Sequence, residues 1–465
     1  MVFSSIDFLI LFLPIFMIAY TSTPKGARNL TLCLGSWSFY LWWKPVFLPL
    51  IISITFVAWY FGKAIERGGR DRKSYALILA IVIILGCLVW FKYANLLAAT
   101  VDEVLRLFNR GPLPWNTVLL PIAISFTVLQ AISYVIDVYR GVVKAQPSFI
   151  SFSTYLDMFP HLIAGPILRY SSIDQALTHR ESTFADFAIG SRRFMIGFCM
   201  KVLIADSLAP LVERAFSLPE PSLVDAWLGN LAFALQIYFD FAGYSAMAIG
   251  LGRMLGFVYP ENFRDPYLAT SIQDFWRRWH ITLSTWLRDY LYIPLGGNRR
   301  TESRTYINLI LTMAIGGLWH GASWTFLLWG LVHGVALAVA RAWRTCGIAL
   351  PVALSYSLTL AVVLFAWTPF RADSWQAMTA VLAGQIGLHS IALGDEMALA
   401  LRPTQFFWFA VGAAAVIWPA VQTRFPSWLP RQPEWWVALW PNVLFLYAIA
   451  VIMSRQTLPF LYFRF

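Results

Sequence analysis

Charge is scarce in this sequence. Only 13% of its 465 residues are Asp, Glu, Lys or Arg, whereas 59% are hydrophobic, with 22 Trp and 36 Phe. A water-soluble chain of this length could not hide so much apolar surface, because surface-to-volume geometry forces polar residues outward. No polar, charge-rich block is long enough to make a soluble domain. The expected fold class is an all-α polytopic membrane protein, with one membrane-embedded domain over 1–465.

Other absences narrow the reading further. The four cysteines (Cys33, Cys87, Cys199, Cys346) are far apart, and no CxxC or Cys/His ligand spacing occurs. Neither a disulfide framework nor a zinc site is therefore indicated, and no metal is expected. No Lys or Arg precedes the first apolar run, so a cleaved signal peptide is not expected and the first segment stays as a span. The net charge of +11 sits in short loops between apolar runs, as the positive-inside rule and anionic lipid require, and not on a nucleic-acid-binding face. No fixed-period repeat, low-complexity linker or matching pair of halves is evident.

What is present is a series of apolar runs able, or nearly able, to cross about 30 Å of hydrocarbon. They lie near 7–22, 29–42, 45–62, 75–95, 117–139, 152–168, 190–212, 226–256, 306–320, 323–343, 351–368, 404–420 and 436–453. Several are short or contain Pro and Gly, which suits half-spans or broken helices sheltered by protein. Lys25 and Arg28 follow the first run, five basic residues from Lys63 to Lys73 follow the third, and Arg140 and Lys144 come two runs later. That register makes these loops cytoplasmic and places the N-terminus outside. Gly243, Gly252 and Gly256, with Ala246 and Ala248, form small faces for close helix packing.

Residues 257–305 break the apolar pattern. Helical spacing puts Gln273, Arg277, His280, Ser284 and Arg288 on one stripe and Phe275, Trp279, Leu283, Trp286 and Tyr290 on an aromatic one. This fits either an interfacial amphipathic helix with snorkelling arginines or a helix lining a polar cavity. Asp274 and Arg278 have the spacing of an i,i+4 ion pair. Further on, an apolar run ends in Gly317-Leu318-Trp319-His320-Gly321, and His333 follows thirteen residues later. An ionisable side chain in such a run is costly and marks a candidate site, and histidine exchanges protons near neutral pH. The plainer alternative is a packed, satisfied core histidine. On one continuous helix His333 would lie roughly opposite His320, which argues against a shared metal site. Asp240, in Tyr238-Phe239-Asp240-Phe241, is a further acid in an apolar run, and an ion pair with an arginine is its structural reading. No GxSxG elbow, P-loop or HExxH occurs. Direct transfer with a histidine activating a hydroxyl thus fits better than a covalent acyl-enzyme.

The runs Asp274-Phe275-Trp276-Arg277-Arg278-Trp279-His280, Gly317-Leu318-Trp319-His320-Gly321 and Trp329-Gly330-Leu331-Val332-His333-Gly334 resemble those of the membrane-bound O-acyltransferase family. Residues 238–245, Met1-Val2-Phe3-Ser4-Ser5, residues 159–166 and the closing residues 460–465 are similar to its bacterial alginate O-acetyltransferase and cellulose-acetylating branch. The resemblance covers nearly the whole chain, with a signature core at about 230–335. The region from about 345 to 455 is shorter than in the alginate enzymes, which favours cellulose or another exopolysaccharide. The resemblance implies a ring of tilted helices around a thin centre, a cytoplasmic donor tunnel and an outward-facing mouth. It implies His320 as the essential histidine and His280 as the second signature position. Asp240, Arg277, Ser284, Arg288, Trp319 and His333 are the candidates for lining the substrate path.

The expected activity is that of a membrane-bound O-acetyltransferase in the bacterial inner membrane. It moves an acetyl group, from acetyl-CoA as donor and with no tightly bound cofactor, toward an exported exopolysaccharide. Transfer would be direct or through a periplasmic acetyltransferase partner, beside polysaccharide synthase and secretion proteins. Two other classes stay open on sequence: a proton-coupled transporter using Asp240, His280 and His320 as a relay, and a non-catalytic scaffold of a secretion complex.

Overall fold

The computed structural model describes residues 2–424, 433–454 and Leu461. Met1 of the opening run and most of the closing run 460–465 lie outside the described residues. Every regular element among the described residues is helical. Among the described residues, six helices are long and apolar enough to cross a membrane. A helix closes all its backbone hydrogen bonds within itself, which is what an anhydrous surrounding demands. The fold is that of an all-α polytopic membrane protein. Two compact units are distinguished, Met1–Ser191 with Ala248–Pro260, and Arg192–Met247 with Glu261–Phe465.

In the first unit, a π-helical turn at Asp7–Phe12 leads into α1 (Leu13–Ser22). Next come α2 (Arg28–Leu41), α3 (Leu48–Arg67) and α4 (Arg70–Leu88). A second π-helical turn at Val89–Tyr93 carries α4 into α5 (Ala94–Leu107), so the fourth apolar run extends well past its expected end at 95. The fifth becomes helical only at α6 (Ile124–Tyr139). Residues 117–123 before it are irregular or turn.

The run at 152–168 is the main departure from the sequence reading. It is not one span. It divides into α7 (Phe149–Asp157), α8 (Phe159–Leu162) and an irregular return to α9 (Tyr170–Thr178). Ser148 caps α7 through the Ser151 amide, and Asp157 ends it deep in the unit. There Asp157 accepts from Trp37 Nε1 at 3.2 Å, Thr55 Oγ1 at 2.7 Å and Ser153 Oγ at 2.6 Å. Trp37 lies in the second half of α2 and Thr55 near the middle of α3, whereas Tyr170 is back beside Gln146, Oη to Nε2 3.0 Å. The segment therefore enters and leaves on the same side. Arg180 consequently meets Tyr20 Oη and Asn29 Oδ1, and Lys25 pairs with Glu181. Counting 152–168 as a crossing would have put Arg180 on the opposite face. Pro160 and Gly165 (φ +124°) are the local cause, since neither residue favours a continuing helix.

α10 (Phe184–Cys199) runs through a π-helical turn at Met200–Ala205 into α11 (Asp206–Ser217). α12 (Leu223–Met254) is 32 residues long. In the second unit Gly197 and Gly243 let these helices touch: a Cβ on Gly197 would come 2.4 Å from the Gly243 carbonyl oxygen. The small face expected around Gly243 and Ala246 is thus used for close backbone packing.

The rest of the second unit begins with α13 (Ile272–Arg278) and α14 (Ile281–Leu287), followed by a π-helical turn at Arg288–Tyr292. It continues with α15 (Glu302–His320), α16 (Trp324–Thr345), α17 (Val352–Arg371) and α18 (Trp375–Gln385). It ends with α19 (Asp395–Ala400), α20 (Pro403–Arg424) and α21 (Glu434–Ser454). α15 and α16 form a tight antiparallel hairpin because Gly317 and Gly330 remove side chains from its contact line. A Cβ on Gly330 would stand 2.3 Å from the Met313 carbonyl oxygen, a backbone atom with little room to yield. Gly330→Leu is expected to lower the unfolding midpoint of the detergent-purified protein, at a cost of about 1–3 kcal/mol or more from overpacking. An unchanged midpoint would count against this account of the hairpin.

Candidate functional site

The two signature histidines come from different local structures of the second unit. His320 is the last residue of α15, where Gly321 takes an extended conformation and Ser323 caps the start of α16 through the Thr325 amide. His280 lies between α13 and α14 with φ 42° and ψ 55°. A non-glycine residue in this left-handed region costs about 1–3 kcal/mol and persists only where its surroundings over-determine it. Here the segment following Glu261 supplies that constraint. The Arg264 amide donates to the Arg278 carbonyl, and the Ile281 amide donates to the Asn262 carbonyl, both at 2.9 Å.

This geometry corrects the continuous stripe expected over 273–288. The left-handed residue breaks the helix, so the face does not carry through. His280 is buried, Gln273 and Ser284 are intermediate, and Arg277 and Arg288 are exposed. Arg288 pairs with its neighbour Asp289 at 2.6 Å, and Ser284 Oγ donates to the Trp279 carbonyl. The aromatic stripe fares differently: Phe275, Trp279, Leu283, Trp286 and Tyr290 are all buried. The Asp274–Arg278 ion pair forms at 2.9 Å, as its spacing predicts.

Forty residues apart in sequence, His280 and His320 come together with ring centroids 6.3 Å apart. Their surroundings are aromatic. Trp319 lies 6.1 Å from His280 and 5.0 Å from His320, and Phe241 meets the His280 ring edge-on at 4.7 Å. Trp329 and Phe370 stand 5.0 and 5.4 Å from His320. Both histidines are buried, His280 wholly and His320 at 3% exposure. Such a box excludes bulk water and strengthens any hydrogen bond made inside it.

His333 is placed by the hairpin and not by one long helix. The break at 321–323 returns α16 along α15, so the expected opposition of His320 and His333 does not apply. Trp329 stands between them, 5.0 Å from His320 and 4.9 Å from His333. His333 packs on Phe275 and Trp276, and neither of its ring nitrogens has a hydrogen-bond partner among the described residues.

Asp240 forms a buried ion pair, though with Lys201 and not with an arginine. Lys201 Nζ stands 2.9 Å from Asp240 Oδ1, without hydrogen-bond alignment, and also contacts Asp206. The Leu461 amide donates to Asp240 Oδ2 at 2.9 Å. Lys201 reaches this position from the π-helical turn between α10 and α11.

Sequence reasoning missed Asn262. Wholly buried, it accepts at Oδ1 from the Thr282 amide (3.3 Å) and Thr282 Oγ1 (2.9 Å), and it contacts His280 Nδ1 at 3.1 Å. Its Nδ2 donates to Ser245 Oγ at 3.1 Å. Asn262 thus caps α14 from outside the helix. Its position in the Pro-Glu-Asn-Phe run gave no periodic signal by which to single it out. Phe241 and Trp329 stood inside quoted motifs, yet only the tertiary structure turns them toward the histidines.

Comparison with known proteins identifies the family. The profile of the membrane-bound O-acyltransferase family matches residues 142–368. A probable alginate O-acetylase of Azotobacter vinelandii is 47% identical over 398 residues, 85% of this chain and 80% of its own length. A probable alginate O-acetylase of Pseudomonas syringae pv. tomato is 38% identical over 519 residues covering all of both chains. A peptidoglycan O-acetyltransferase of Helicobacter pylori is 38% identical over 437 residues, 84% of this chain and 81% of its own. With buried paired histidines on an all-helical apolar scaffold, and with relatives this similar over this much of its length, the chain belongs to the membrane-bound O-acyltransferase family.

Proposed function

We propose that this protein takes an acetyl group from acetyl-CoA on the cytoplasmic side of a bacterial inner membrane and passes it to a hydroxyl on the periplasmic side. The product feeds O-acetylation of an exported polysaccharide, either directly or through a periplasmic acetyltransferase partner. The single observation that carries this reading is the buried pair of histidines, 6.3 Å apart in an aromatic box. The names of the relatives, which act on alginate and peptidoglycan, support acetyl as the group and a polysaccharide as the destination. They favour an alginate-type polymer over cellulose.

In this reading the imidazole of His320 removes the proton of the acceptor hydroxyl, and the alkoxide oxygen attacks the thioester carbonyl carbon. The tetrahedral oxyanion collapses with cleavage of the carbon–sulfur bond. The leaving thiolate takes the proton back from His320, giving a new ester and a free thiol. Burial matters because a hydroxyl shielded from water is the only acceptor at hand, which suppresses hydrolysis of the thioester.

Labelled acetyl-CoA tests the proposal. Membranes containing the protein, its polysaccharide and its periplasmic partner fraction are expected to place covalent label on polymer or partner. Movement of an unmodified solute with no covalent label would overturn the proposal in favour of transport.

A further inference from the structure

We infer that Asn262 is a positioning residue that holds His280 as its Nδ1–H tautomer, so that Nε2 is left as the ring's proton acceptor. The inference rests on the acyl-transfer reading for its chemistry, though not for its geometry.

The chain of reasoning begins at the backbone. The Thr282 amide is a donor in every protonation state, and it points at one terminal atom of the Asn262 carboxamide, 3.3 Å away. That atom must be oxygen, since an amide NH2 there would set two donors face to face. The other terminal atom is then nitrogen, which donates to Ser245 Oγ at 3.1 Å. With the carboxamide oriented from both ends, its oxygen also faces His280 Nδ1 at 3.1 Å. A carbonyl oxygen only accepts, so Nδ1 must carry the proton. In a neutral imidazole one nitrogen donates and the other accepts. Nε2 is therefore the acceptor. It is buried and has no hydrogen-bond partner among the described residues. A buried polar atom left in that condition costs about 1–3 kcal/mol, which argues for a ligand or reacting group as its partner.

Phe241 meets the His280 ring edge-on, and Trp319 and His320 also lie beside that ring. A neutral His280 fixed in this tautomer supplies the acceptor that a hydroxyl or an imidazolium needs. It cannot supply the hydrogen-bond donor that an oxyanion needs. The left-handed backbone at His280, held by the Asn262 carbonyl through Ile281, aims the ring and belongs to the same device.

The test uses the full chain in lipid nanodiscs, labelled with 15N-histidine. The sequence contains only six histidines, so the His280 signals are assignable by their loss in His280→Gln. At neutral pH the expected spectrum has a protonated Nδ1 and an unprotonated Nε2 at His280. A protonated Nε2 in the wild-type protein overturns the inference, whatever the activity. Asn262→Leu is expected to mix the tautomers and lower kcat by about tenfold or more, with the donor KM unchanged. Asn262→Asp, which keeps an acceptor oxygen, is expected to retain the tautomer and most of kcat. Should Asn262→Leu fail to fold, Ser245→Ala loosens the carboxamide from its far end and is expected to broaden the same signals. Full kcat in a tautomer-mixed variant overturns the positioning role. A wild-type protein with the expected tautomer but no acyl transfer would sink the functional reading and leave the tautomer assignment standing.

Discussion

His320→Ala protein is expected to insert and fold normally while acetyl transfer falls by a factor of roughly 10²–10⁴, the usual contribution of a positioned general base. The side chain ends α15 and makes ring contacts with Trp319, Trp329 and Phe370. Truncation is expected to leave the helix hairpin standing, because its close backbone contacts at Gly317 and Gly330 do not need the imidazole. The measurement is label from acetyl-CoA on polymer or partner, compared at equal amounts of membrane-inserted protein. His320→Gln is the companion variant, keeping a polar side chain of similar size but no proton-accepting nitrogen. Normal polymer acetylation by either folded variant would remove His320 from the mechanism.

The second large effect concerns stability. Lys201 is the cation of a buried cluster whose anions are Asp240 and Asp206, with side-chain exposures of 3%, 2% and 18% in that order. Two carboxylates share one ammonium, and the Leu461 amide completes the coordination of Asp240. Lys201→Met fits the same space but leaves both acids without their cation. Removing one partner of a buried ion pair costs about 3–5 kcal/mol, because the remaining charge stays desolvated. The expected result is a large fall in the yield of folded protein and in the unfolding midpoint. Asp206→Asn should cost less, since Asp206 is the most exposed of the three and its loss leaves a one-to-one pair. A Lys201→Met protein as stable as wild type would show that the cluster is not a structural clasp. Asp240 would then return to the substrate-path role that its place in an apolar run first suggested.

The contrast between Asp240 and Asp157 shows what linear reading can and cannot reach. Both are acids buried in apolar surroundings, though only Asp240 stood out in the linear pattern. Asp240 is neutralised by a lysine thirty-nine positions earlier in the chain, brought near by a π-helical turn. Asp157 uses three neutral donors, two of them from α2 and α3, and thereby anchors a segment that turns back before crossing. No local pattern separates these outcomes. They depend on which groups the packing of other helices delivers to the carboxylate.

Sequence by itself determined the membrane class, the helical fold and the places of the six helices that, among the described residues, are long and apolar enough to cross. Those follow from composition and from the length of apolar runs, which the hydrocarbon thickness reads directly. It also made His320 conspicuous as an ionisable group in an apolar run, whereas His280 was marked by the family resemblance. The expected stripe over 273–288 failed for a definite reason. Periodicity assumes a continuous helix, and one left-handed residue, His280 itself, ended it. The opposition of His320 and His333 failed in the same way at the 321–323 turn. Only the tertiary structure joined His280 to His320, put Trp329 between His320 and His333, and set Asn262 against His280 Nδ1. Those relations are between segments far apart in sequence or across a chain reversal. They are fixed by close backbone packing at glycines and by the demand that buried polar groups find partners, and neither has a period to read.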